Sequence, residues 1–131
     1  MKIITETEKL KLGFENEFSF LIAKDTNEIL FQDEFYGNPN CGIIDTENNW
    51  VLIGGIHLTL WKPKKTEKYL SEDFKWIHSL RLKNSEIVEI LIDPWNKYSA
   101  IWELNFKTSR LTKVKNFTKY LGKEYTESIE W

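Results

Sequence analysis

The chain has 131 residues, with 18 Lys plus Arg against 20 Asp plus Glu and a net charge of −2. One domain accommodates that length, and a chain of this size buries roughly two-thirds of its unfolded surface without disulfide or metal staples. With 6 Gly, 3 Pro and 15% aromatic residues, the collagen-like, low-complexity and disordered classes are excluded.

A single cysteine, Cys41, leaves no disulfide framework and no cysteine-based zinc site, and it fits a reducing compartment. Met1 to Glu6 turn basic and acidic before any apolar segment forms, so no secretory signal is read there. No apolar run approaches the roughly 20 residues that a bilayer span needs. The expectation is a soluble cytoplasmic protein with no membrane partner. Its charge is uneven: residues 1–60 hold four lysines and ten acids, a balance of −6, and residues 61–131 hold 14 bases and ten acids, a balance of +4.

Two-residue alternation dominates the chain. In Glu17 to Ala23 it places Phe18, Phe20 and Ile22 on one face of a strand. Lys24-Asp25-Thr26-Asn27 supplies turn chemistry, and Glu28 to Gln32 returns to complete a hairpin. A second hairpin joins Gly42–Asp45 to Trp50–Ile53 through Thr46-Glu47-Asn48-Asn49. After Gly54-Gly55 the strand Ile56–Trp61 runs until Pro63 stops it. Residues 64–74 read as a short helix, Trp76–Leu82 and Glu86–Ile92 as strands, the latter central because both its faces are apolar. Tyr98 to Phe106 is the clearest strand, with every even position apolar, and Arg110–Asn116 closes a third hairpin. A second short helix is expected near residues 117–122. The whole reads as a single domain, mainly β: an antiparallel meander of about eight strands forming a bent sandwich or open barrel.

One internal echo occurs at a spacing of 48 residues. Ile44, Asp45, Asn48 and Ile53 recur as Ile92, Asp93, Asn96 and Ile101. The spacing suits a propeller blade, but the chain is too short for four blades at roughly 40–50 residues each. Two similar hairpins explain it.

Chemistry-bearing motifs are sparse. His57 and His78 stand in no metal-ligand spacing, and His78 shares a strand face with apolar residues, so no metal is expected. Cys41 follows a loop but lacks the signature of a nucleophile. Asp33-Glu34 and Asp45/Glu47 are carboxylate pairs suited to glycoside chemistry only at a fixed separation, and turn acids explain them equally. Gly54-Gly55 has no Lys-Ser or Lys-Thr after it to hold a phosphate. No catalytic residue, cofactor or enzymatic activity is expected.

Two binding readings remain. Lys107 to Lys123 could follow a phosphate backbone, with aromatics stacking on bases or sugars, although the acidic total argues against nucleic acid. The other is a basic protein partner. Asp33, Glu34, Asp45, Glu47 and Asp93 would steer encounter, and Tyr36, Trp50 and Trp95 would anchor it. In Asp93-Pro94-Trp95-Asn96, Trp95 either projects as an anchor or folds back over the sheet.

A small β-rich chain with acidic loops and tryptophan-bearing hairpins such as Asn48-Asn49-Trp50-Val51-Leu52-Ile53-Gly54-Gly55 resembles the bacterial immunity proteins of contact-dependent and polymorphic toxin systems. That resemblance implies a non-enzymatic antitoxin that neutralises a cognate toxin domain, often a nuclease, in a one-to-one complex. The alternative is a ligand- or nucleic-acid-binding β module, and an enzyme of unrecognised type ranks third.

Overall fold

The computed structural model describes residues 1–131 and contains twelve strands and no helix. They form three antiparallel four-stranded meanders, one after another along the chain. Sheet 1 comprises β1 (Lys2–Glu6), β2 (Leu10–Glu15), β3 (Phe18–Ala23) and β4 (Ile29–Glu34). Sheet 2 comprises β5 (Cys41–Ile44), β6 (Val51–Gly54), β7 (Leu58–Lys62) and β8 (Lys65–Tyr69). Sheet 3 comprises β9 (Ile77–Leu82), β10 (Ile87–Ile92), β11 (Ala100–Asn105) and β12 (Arg110–Asn116). The sheets do not close into a barrel, and each pairs only strands adjacent in sequence.

Sheet 2 is the middle layer. Alternate residues of its strands point to opposite faces, and both faces are buried. Trp50, Leu52, Leu58 and Leu60 pack with Ile77, Val88, Ile90, Ile92, Leu104 and Phe106 of the sheet 3 side. Ile44, Val51, Ile53 and Trp61 pack with Leu10, Leu12, Leu21 and Phe35 of the sheet 1 side. Its first strand, β5, lies against both β1 and β9. Two glycines, Gly42 of β5 and Gly54 of β6, let sheet 2 come close to β2 and β9. A Cβ on Gly42 would stand 2.6 Å from Leu12 Cδ2, and one on Gly54 would stand 2.7 Å from Ile77 Cγ2.

The outer face of sheet 3 is covered by the chain after β12. Phe117 packs on Leu91 and Ile101, with Tyr120, Ile129 and Trp131 alongside. The Arg81 guanidinium lies over the Trp131 ring, 3.9 Å from its centroid.

Several expectations are corrected. Residues 64–74 are not helical: Lys62 pairs with Lys65 across Pro63-Lys64, and the chain returns as β8 beside β7. Pro63 fixes the φ that a tight turn needs, so it turns the strand rather than merely ending it. Residues 117–122 form successive turns, with Leu121 N–H donating to Thr118 O and Lys123 N–H to Tyr120 O. A segment this brief gains too few helical hydrogen bonds to offset nucleation, whereas Phe117 and Tyr120 gain burial against the sheet. Twelve strands replace a meander of about eight: β1, β2 and β8, from segments with no strand assignment or read as helix, add to the nine segments named as strands. The 48-residue echo is out of phase with the architecture. It superposes the β5–β6 turn on the β10–β11 turn, whereas the first strands of the sheets begin at Lys2, Cys41 and Ile77.

Candidate partner-binding surface

Sheet 1 has no layer over its outer face. The sequence places Phe18, Phe20 and Ile22 on one face of β3, but that face is the outer one. Ser19 (0% exposed) and Leu21 point inward, and the three large apolar residues are only half-buried. The strand register sets their neighbours: Phe18, Phe20 and Ile22 stand opposite Glu15, Gly13 and Lys11 of β2. On β4, Glu34 and Gln32 stand opposite Phe18 and Phe20; past a register shift Ile29 stands opposite Ile22, with Leu30 exposed beside it. Ile3 pairs with Gly13, over which the Met1 side chain lies. Ile3, Leu30 and Met1 are exposed. The result is an apolar patch with a mostly acidic rim of Glu15, Glu34 and Lys11.

The edge of this sheet has the same character. Of the outermost strands, β8 carries Lys65 and Lys68, and β12 carries Arg110, Lys113 and Lys115. Lysines on an edge discourage pairing with another chain. Two outermost strands carry no base: β5, which lies against β1 and β9, and β4, Ile-Leu-Phe-Gln-Asp-Glu, whose Ile29 is exposed. Charge follows the layers: residues 1–40 hold four lysines against eight acids, residues 41–76 are balanced at five each, and residues 77–131 hold nine bases against seven acids.

The eight candidate residues divide among three separate concavities. Asp33, Glu34 and Tyr36 line one with Glu17, Lys68 and Leu70. Asp45, Glu47 and Trp50 line a second with Lys62, Asn84 and Lys107. Asp93 and Trp95 belong to a third. Glu34 alone lies on the open face of sheet 1, and Tyr36, 76% exposed, follows the end of β4.

Asp33 faces inward. Its Oδ2 accepts from His57 Nε2 (2.9 Å) and from the Thr59 hydroxyl (2.5 Å), joining sheet 1 to sheet 2. His57 is buried and stacks on Phe35 at 4.0 Å between ring centroids. Burial alone would raise the Asp33 pKa, but the hydrogen bonds from His57 and Thr59, with the nearby charges of His57 and Lys68, hold it below 3.8. The carboxylate therefore ties two layers together. Trp50 is likewise a core residue, buried with its ring 4.3 Å from that of Phe106. Trp95 folds back, half-buried, toward His78, Tyr120 and Tyr125.

No three His, Cys, Asp or Glu side chains converge as a metal-ligand cluster. Burial pushes the Cys41 thiol up to about 12, opposed by its contact with the Gly54 carbonyl, so little thiolate exists at neutral pH. No helix is long and apolar enough to cross a membrane. No protein-family model matches the chain, and no curated protein is detectably similar in sequence.

Sequence reasoning missed Phe18, Phe20, Ile22 and Leu30 as surface residues. A usable signal was present: Phe-Ser-Phe-Leu-Ile-Ala is apolar on both faces, as expected of a strand with something to bury on each.

Proposed function

We propose that the chain is a non-enzymatic protein-binding inhibitor of the immunity type, which neutralises a basic toxin domain through the outer face of sheet 1. One observation carries this reading. Sheet 2 is covered on both faces and sheet 3 by the C-terminal segment, but the Phe18/Phe20/Ile22 face has no cover. Contiguous apolar surface with a polar rim is the usual composition of a protein interface. The acidic balance of residues 1–40 favours a basic partner and speeds its encounter, while Phe20 and Leu30 supply the buried centre.

The test uses the toxin domain encoded beside this chain's gene. Co-expression is expected to protect cells and give an equimolar complex on gel filtration. Phe20→Glu, outward on the sheet, is expected to leave the unfolding midpoint nearly unchanged while weakening the complex by about 2 kcal/mol or more. Failure to protect or to form a complex defeats the immunity reading. A full-strength complex with Phe20→Glu defeats the assignment of the surface.

A further inference from the structure

A cavity of about 750 Å³ lies between the start of β9, the β10–β11 turn and the segment after β12. It is far in sequence and character from the outer face of sheet 1, and the inhibitor reading makes no use of it. Three of its wall residues are aromatic: Trp76, Trp95 and Tyr125.

Trp76 has φ +61°, a left-handed conformation that bulky L-residues rarely adopt. Its backbone is held there from both sides. Its N–H donates to Ile56 O (3.0 Å), and its carbonyl accepts from Asp93 N–H (2.9 Å). The indole so placed remains 39% exposed and has no aromatic neighbour within stacking distance. Tyr125 is 74% exposed and rests its ring on Trp95, 5.0 Å between centroids. Strain that presents an uncovered aromatic at a cavity is the pattern of a binding site.

The polar lining is oriented but unsaturated. Asn40 Nδ2 donates to Ile77 O, which leaves its Oδ1 unclaimed. Asp93 Oδ1 accepts from Trp95 N–H, which leaves Oδ2. His78 Nδ1 is engaged by the Ser79 hydroxyl, which leaves Nε2. Lys123 takes part in no ion pair. Each of the first three is thus fixed by one internal hydrogen bond and has a second polar atom for a ligand.

Charge selects the ligand class. One carboxylate is balanced by one ammonium, and burial lowers the His78 pKa against the opposing pull of Asp93, which favours the neutral ring. Neither an anion nor a cation gains from such a lining. We propose that the cavity binds a neutral pyranose sugar, its C–H face against Trp76 and Tyr125 and its hydroxyls bridging Asn40, Asp93, His78 and Lys123.

The experiment is saturation-transfer NMR on the full chain with methyl glucopyranoside, methyl galactopyranoside and N-acetylglucosamine, and with choline, inorganic phosphate and adenosine as competing chemistries. At least one sugar is expected to bind, with Kd in the millimolar range. Tyr125→Ala, on an exposed side chain, is expected to weaken it about tenfold. Trp76→Gly removes the strained indole and is expected to weaken the sugar similarly without lowering the unfolding midpoint. A merely structural Trp76 would destabilise the fold when removed. Absence of binding by all three sugars overturns the proposal, as does sugar binding that survives both substitutions. Binding of choline, phosphate or adenosine in place of the sugars overturns the ligand class.

Discussion

Asp33 lies in an acidic stretch where surface exposure is the simplest reading, yet its parity on β4 turns it toward His57 and Thr59. A carboxylate whose folded pKa is depressed stabilises the fold above its unfolded value, and the contribution fades as pH falls through the folded one. For Asp33 the window opens near 3.8 and extends below it. Asp33→Asn is expected to cost about 1–3 kcal/mol at neutral pH, since it weakens a charge-assisted pair of hydrogen bonds. Urea unfolding would show the gap between variant and parent shrinking as the pH is lowered toward about 3. An unchanged gap would mean that the carboxylate charge contributes nothing. The alternation that identifies β4 cannot say which side is inward, because a one-residue difference in parity exchanges the faces.

Among the elements, β11 was the most legible: the sequence reads it as Tyr98–Phe106 and it spans Ala100–Asn105. Its even positions Ala100, Trp102 and Leu104, with Phe106 just after it, are apolar in sequence and turn toward the core between sheets 2 and 3, whereas Tyr98 is exposed. β8 was not legible, because Lys-Thr-Glu-Lys-Tyr has neither strong strand propensity nor an apolar face, and it is held by pairing with β7. The close approach of β6 and β9 was invisible too, since glycine announces freedom at a position but not what approaches it. Gly54→Ala places a methyl 2.7 Å from Ile77 Cγ2 and 2.8 Å from Cys41 Sγ. Overpacking there is expected to cost about 1–3 kcal/mol, read as a lower urea midpoint with an unchanged slope. Full stability in that variant would show that β6 and β9 can separate freely.

At the scale of the whole molecule, sequence patterning identified an antiparallel meander but not its division into three stacked sheets. Hydrophobic period reports strand faces, whereas the layering depends on which faces meet. The candidate site suffered more: its acids and aromatics are near one another in composition but occupy three concavities and the core. The covering of sheet 3 can be tested directly. Phe117→Ala opens the layer over Leu91 and Ile101 and is expected to cost about 3 kcal/mol. Increased binding of a hydrophobic dye would report the opened face, and unaltered stability and dye binding would show that the segment after β12 is a loose tail.

Sheet 2 owes both its cores to its neighbours, whereas hydrogen bonding within each sheet joins only consecutive strands. Short loops close at little entropic cost, so each meander can zip up locally, but a lone one leaves its apolar faces wet. During synthesis, sheet 1 leaves the ribosome first and gains its inner core only when β6 and β7 follow. Among the three sheets the order of manufacture therefore runs from the exposed outer sheet to the segment that seals the last one, and the Phe18/Phe20/Ile22 face belongs to the first sheet made and stays uncovered by the two that follow.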